Sequence, residues 1–143
     1  CAVSGGGGVY CWGLNTKGQL GDVGFGQVVT EPTRIPGLPP MAAVSAGLEH
    51  VCGLSLEGEA FCWGSNRWGE LGRGDFAARA PEAAKVSGGL AFSLISARLY
   101  RTCGMTVDGA IYCWGRSDVG GASPTPRRVG DPLPLDELGP GGQ

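Results

Sequence analysis

Cys52-Gly53-Leu54-Ser55-Leu56-Glu57-Gly58-Glu59-Ala60-Phe61-Cys62-Trp63-Gly64 is the stretch on which the fold turns. Two short alternating runs, Val51 to Leu56 and Glu59 to Trp63, flank the pair Glu57-Gly58. Such alternation is the pattern of a half-buried strand, and glycine after an acidic residue supplies the left-handed conformation of a hairpin end. The stretch is therefore expected to be a β-hairpin. Folding it about Glu57 sets Cys52 opposite Cys62 and Leu54 opposite Ala60 on one face. Opposed residues on antiparallel strands have β-carbons about 4.5–5.5 Å apart, a small adjustment away from disulfide geometry.

Working outward, the same stretch recurs at 51 residues in both directions. Cys11-Trp12-Gly13, Cys62-Trp63-Gly64 and Cys113-Trp114-Gly115 share that period, as do Cys1, Cys52 and Cys103. Thr102 to Val107, Asp108-Gly109 and Ala110 to Trp114 repeat the hairpin, while Gly5 to Gly8 fills the first turn, which is expected to be the loosest. Ala42 to Ala46 and Phe92 to Ala97 read as a further strand ahead of each hairpin. Pro32 to Ile35, Pro81 to Val86 and Pro126 to Val129 supply a fourth. Four short antiparallel strands in about 50 residues make a propeller blade. The expected fold is all-β: a partial β-propeller of about three four-stranded blades in one segment, 1–143, with repeat cores 1–31, 41–80 and 92–123. Each tryptophan leads into Gly-x-Asn-x-x-Gly-x-Leu-Gly, at 13–21 and 64–72; the third copy decays to Gly115-Arg116-Ser117-Asp118-Val119-Gly120-Gly121, so its edge loop should depart from the others.

Six cysteines allow 15 pairings, and the repeat selects Cys1–Cys11, Cys52–Cys62 and Cys103–Cys113. Each closes a loop of about ten residues and contributes roughly 2–3 kcal/mol. Disulfides persist mainly in oxidising compartments, so an extracellular, periplasmic or cell-surface location is expected. Structural zinc and iron–sulfur sites need cysteines two to four residues apart, and a lone histidine, His50, cannot serve three sites. No metal or cofactor is expected.

The chain holds 28 glycines and 10 prolines in 143 residues without a three-residue period, which excludes collagen and favours many short elements joined by turns. A net charge of −2, never gathered into a block, argues against nucleic acid or anionic lipid as partner. No apolar run is long enough for a membrane-spanning helix. The sequence starts at Cys1 with neither an initiator methionine nor a signal peptide, and three blades form an open arc with exposed edges. The chain is expected to belong to a longer one, its remaining partners being other blades of the same parent or other subunits.

Gly47-x-x-His50-x-Cys52-x-Leu54, followed by Gly58-x-x-Phe61-Cys62-Trp63-Gly64-x-Asn66-x-x-Gly69-Glu70-Leu71-Gly72, resembles the repeat of the regulator-of-chromosome-condensation propeller superfamily. Tyr10, Trp12-Gly13, Asn15 and Gly18-Gln19-Leu20-Gly21 carry the same tail. The resemblance implies four-stranded blades about a central axis, usually seven of them. That superfamily hosts nucleotide-exchange factors, an ultraviolet photoreceptor, ubiquitin-ligase modules and a β-lactamase inhibitor, so fold alone does not name the function. The cysteine pair resembles its secreted or envelope members.

Trp12, Trp63 and Trp114, on the strand face opposite the cysteines, are expected to pack between blades. Trp68 and Arg67 lie outside the lattice in an edge loop and form the candidate contact site, since exposed aromatic and arginine side chains dominate interface energetics. Arg73-Gly74-Asp75 spells a tripeptide that some cell-adhesion receptors recognise, on a loop that would expose it. His50 has Arg101 as its counterpart, which points to hydrogen bonding rather than catalysis. Glu57, Glu59, Asp108, Asp136 and Glu137 form no acid–base pair, so no enzyme is expected. The leading reading is an extracellular or envelope scaffold binding a protein or glycan. A structural building block of a larger surface or appendage assembly is the first alternative, and a propeller enzyme or lyase completed by residues outside the chain the second.

Overall fold

The computed structural model describes residues 1–20, 26–117 and 121–129. Eleven strands form three antiparallel sheets among them. Blade 1 holds β1 (Ala2–Val3), β2 (Val9–Leu14) and β3 (Val28–Arg34); blade 2 holds β4 (Met41–Ala46), β5 (His50–Ser55), β6 (Ala60–Ser65) and β7 (Arg79–Lys85). Blade 3 holds β8 (Phe92–Arg98), β9 (Arg101–Thr106), β10 (Ile111–Arg116) and β11 (Ala122–Arg128). Each sheet is a meander in chain order. Blade 1 has three strands among the described residues, with β1 at the position that β5 holds in blade 2. Gly21, the Asp118 to Gly120 part of the third edge loop, Asp136 and Glu137 lie outside the described residues.

Register follows the repeat. Cys52 pairs with Cys62 and Leu54 with Ala60 across β5 and β6; Cys103 pairs with Cys113 across β9 and β10. All three expected disulfides are present. The three hairpin turns are closed alike: Ser4, Ser55 and Thr106 donate their amides to the carbonyls of Gly8, Glu59 and Ala110. Their hydroxyls in turn accept from the amides of those same three residues at 3.0–3.2 Å. The four-glycine turn is thus no looser in its hydrogen bonding than its copies, because Ser4 at its mouth and Gly7 at the left-handed position supply what the turn requires.

The prolines sit where a ladder can lose a donor. Between Cys62/Gly64 on β6 and Ala84/Ala80 on β7 the register slips, and Pro81 lies in the bulged stretch; Pro32 in β3, and Pro124 and Pro126 in β11, occupy the same place. Proline is tolerated in outer strands and bulges for this reason. The outer strands accordingly begin before the prolines, ahead of the starts expected from sequence. After each tryptophan the chain turns through a glycine, Gly13, Gly64 or Gly115, at φ of 114°, 111° and 93°. A β-carbon on Gly64 would also meet the Glu49 carbonyl oxygen at 2.7 Å, so both the conformation and the close approach demand glycine.

Blades lock through one repeated contact. Cys11, Leu20 and Val9 from blade 1 meet Trp63, Val51 and Met41 from blade 2. Cys52, Cys62 and Leu71 from blade 2 meet Trp114 and Phe92 from blade 3, the last two rings 5.8 Å apart. Each disulfide therefore faces the following blade and each tryptophan the preceding one. Trp63 and Trp114 are buried, whereas Trp12, on which no other blade packs among the described residues, is 46% exposed.

Candidate interaction site at the edge of the third blade

The edge loop of blade 2 shapes the site. Asn66 Oδ1 accepts the Leu71 amide at 3.1 Å, closing the Asn-x-x-Gly-x-Leu turn just as Asn15 does for Leu20 at 2.8 Å. Leu71 thereby plunges into the inter-blade core while Arg67 stays exposed at the tip and Trp68 half-buried. The loop reaches across to β11, where the Gly74 amide donates to the Pro124 carbonyl at 2.8 Å. Trp68 does not project freely. Its ring lies 6.4 Å from that of Tyr100, and the Arg116 guanidinium stands 5.0 Å over it, a cation–π arrangement.

Beside this stack a cavity of 550 Å³ opens, lined by Ser96, Arg98, Leu99, Tyr100, Arg101, Cys103, Arg116 and Ser117. Three arginines, Arg98, Arg101 and Arg116, are among its lining residues, and no acidic residue is among the described lining ones. Arg98 and Arg116 are exposed, and Leu99 at the lip is 64% exposed. Leu99 is also the one described non-glycine residue with positive φ, at 45°. Strained backbone of this kind concentrates at functional sites.

Of the residues singled out in the sequence, Trp68 and Arg67 belong to this edge, and Trp68 acts as a prop for Arg116. Arg73 and Asp75 lie on the same loop but turn to each other, with Arg73 Nε 3.3 Å from Asp75 Oδ2. Asp75 Oδ1 also accepts from Asn66 Nδ2 at 2.8 Å and from the Ala77 amide at 3.2 Å, so its carboxylate shapes the turn. Tyr100, Arg98 and Arg116 were not singled out. The signal was present in the lattice: 51 residues earlier stand Glu49, Gly47 and Ser65, so each position changes from a glycine, a hydroxyl or an acid to a large ring or a cation.

His50 lies in the seam between blades 2 and 3, its Nε2 2.8 Å from Thr102 Oγ1, and the Thr102 hydroxyl donates to the Glu70 carbonyl at 2.8 Å. Burial lowers the His50 pKa from 6.5 to about 4, with partial compensation from the Leu99 carbonyl. Glu70 is enclosed, one oxygen accepting the Trp68 amide at 2.8 Å, and burial pushes its carboxyl above the ordinary range. Both groups are buried at the seam between blades 2 and 3. Among the described residues no group of three or more His, Cys, Asp or Glu is placed to hold a metal ion.

Residues 6–54 and 41–69 match models of the regulator of chromosome condensation (RCC1) repeat. The ultraviolet-B receptor UVR8 of Arabidopsis thaliana is 34% identical over 122 residues, 83% of this chain and 28% of the receptor. The probable E3 ubiquitin-protein ligase HERC6 of Homo sapiens is 36% identical over 133 residues, 87% of this chain and 13% of the ligase. Among solved structures, Prp20p of Saccharomyces cerevisiae, described with its binding to Gsp1p and histones, superposes with a TM-score of 0.79 at 25% identity, over 92% of this chain and 36% of that one. The chain thus spans between about an eighth and about a third of the length of these proteins. The expected extracellular, periplasmic or cell-surface location is overturned by them, because ubiquitin ligation and histone binding belong to the cytoplasm and nucleus. The physical reason is local. Hairpin register brings Cys52 and Cys62 together in any compartment, so the pairing reports the fold and not the location.

Proposed function

Because this chain belongs to the regulator-of-chromosome-condensation-type β-propeller repeat superfamily, we propose that it is a non-catalytic protein-interaction module whose contact site is the edge where the blade 2 loop meets blade 3. One observation carries the reading: of the residues that break the 51-residue lattice, Tyr100, Arg98 and Arg116 line one cavity and Trp68 stacks against Tyr100 and Arg116 beside it, while the residues that keep the lattice build the scaffold. A rigid frame presenting aromatic and arginine side chains is the composition of an interface centre. The titratable groups support the non-catalytic half. His50 is engaged by Thr102 across the seam, the Glu70 carboxylate accepts the Trp68 amide within its own loop, Glu59 pairs with Lys85 across the sheet, and Asp108 accepts from Thr106 beside its turn.

The test is a comparison of immobilised wild-type chain with a Trp68→Ala/Arg67→Ala variant. A protein retained by the first is then purified and its affinity measured for both. Affinity at least about tenfold weaker for the variant is expected from loss of one aromatic anchor and its support of Arg116. Equal affinity would move the contact site elsewhere on the module.

A further inference from the structure

We infer that Thr125, on the outer strand of blade 3, is a phosphorylation site for a proline-directed serine/threonine kinase, and that the phosphate gives this blade the negative charge that a glutamate supplies on each of the first two. The inference goes beyond the contact-site reading and does not depend on it. It comes from aligning the three outer strands by ladder register instead of by the 51-residue period. Gly13 opposes Val29, Gly64 opposes Ala80 and Gly115 opposes Ser123; across each slip, Cys11 opposes Thr33, Cys62 opposes Ala84 and Cys113 opposes Arg127. Three residues therefore span every bulge, and the middle ones are Glu31, Glu82 and Thr125, all exposed. The next ladder pairs set Arg34, Lys85 and Arg128 opposite Tyr10, Phe61 and Tyr112, so a base stands three residues further on in every blade.

The exposure is a property of the outer strand. β3, β7 and β11 each close one side of their sheet. Blade 2 has a blade packed against it on either side, and Glu82 is still exposed. A hydroxyl in a place that otherwise holds a carboxylate is the exchange that phosphorylation reverses, since phosphothreonine carries a charge of about −1.5 to −2 at neutral pH.

The residues after the hydroxyl fit this enzyme class. Thr125 is followed by Pro126, Arg127 and Arg128. A cleft closed over the position after the acceptor favours proline there, because a buried amide without a partner is costly and proline has none to bury. Exposed arginines beyond it suit a cleft lined with acids. The segment is already extended, and the bulge leaves Thr125 unpaired in the ladder with β10. The neighbouring hydroxyl–proline pair, Ser123-Pro124, is held instead by its surroundings. Ser123 Oγ donates to the Thr125 carbonyl at 2.7 Å, the Pro124 carbonyl accepts the Gly74 amide at 2.8 Å, and a β-carbon on Gly69 would stand 2.6 Å from Pro124 Cα. In the transfer, Thr125 Oγ1 bonds to the γ-phosphorus of ATP as the bond from that phosphorus to the β,γ-bridging oxygen breaks; the hydroxyl proton passes to the catalytic aspartate of the kinase, and ADP leaves.

The experiment incubates the whole folded chain with ATP, magnesium and a purified proline-directed kinase that selects a base after the proline, reading incorporation by intact mass and its position by peptide fragmentation. One phosphoryl group per chain is expected, on Thr125. Thr125→Ala should abolish incorporation and Ser123→Ala leave it unchanged, while Pro126→Ala should slow it at least about tenfold. Thr125→Glu, which installs the residue of the other two blades, should fold with the urea midpoint of the wild type, because Glu31 and Glu82 occupy the same bulge. No incorporation into the folded chain, phosphate on Ser123 in place of Thr125, or undiminished labelling of Thr125→Ala overturns the inference. So does failure of Thr125→Glu to fold, which would show that blade 3 does not accept the charge. The contact-site reading is untouched by any of these results, since it stands or falls on partner affinity at Trp68 and Arg67.

Discussion

Acidification from pH 7 to pH 5 is expected to remove about 2 kcal/mol of folding free energy through His50 alone. In the folded chain burial holds its pKa at about 4, against 6.5 when free. Between those two values the unfolded chain binds the proton and the folded chain does not, so stability falls as pH falls. The contribution is fully present above pH 6.5, and it is lost progressively as pH drops toward 4. Integrating the difference in bound protons gives about 2 kcal/mol between pH 7 and pH 5, with a limit near about 3 kcal/mol at still lower pH. Glu70 acts in the opposite direction, because burial raises its pKa; its stabilising share is present at low pH and is lost as pH rises through the folded value. The His50 part is therefore isolated by difference. Urea unfolding followed by tryptophan fluorescence would be measured at pH 7, 6 and 5 for wild type and for His50→Gln, which can still bond to Thr102 without titrating. Wild type should lose about 2 kcal/mol more than the variant over this span. Parallel losses in the two proteins would refute the reasoning, since a solvated histidine has no such window.

Replacing Glu70 by glutamine, the residue at the same place in blade 1, should raise the urea midpoint at pH 7, and the gain should shrink as pH falls; a lower midpoint at pH 7 would mean that the carboxylate is stabilised where it stands. Leu71→Ala opens the seam between blades 2 and 3 and should cost about 2–5 kcal/mol in the same assay. Trp63→Ala is expected to cost about 3–5 kcal/mol, while Trp12→Ala, at a half-exposed copy of the same position, should cost clearly less; equal losses would contradict the assigned facing of the tryptophans. Cys52→Ala/Cys62→Ala should lower stability by roughly 2–3 kcal/mol, the value for a loop of ten residues, as read from calorimetric melting.

The 51-residue lattice made the blades legible because a period-two strand and a glycine turn are local properties. Val51 to Trp63 contains its own register: once Gly58 makes the turn, Cys52 must oppose Cys62, and that pairing, its two copies and the opposite facing of Trp63 all follow. The proline-bearing outer strands were less legible, since Pro81 disguises a strand whose bulge only its neighbour β6 makes possible. Location was misread from the cysteines because pairing geometry is a property of the hairpin. Trp68 was visible as an outlier, but its neighbours Tyr100 and Arg116 lie 32 and 48 positions further on, and nothing in a strand pattern says that they meet.

By itself, then, the amino-acid order determined the repeats, the turns, the three disulfides and which face of each strand carries tryptophan, all consequences of backbone geometry over a dozen residues. Only the tertiary structure decided that successive blades seal through disulfide, leucine and tryptophan, that His50 and Glu70 are enclosed in one seam, and that three arginines share a single cavity. Those are matters of which surfaces touch. Side chains far apart in the chain acquire shared surroundings, and with them burial, shifted protonation and a common charge, only when the blades stack.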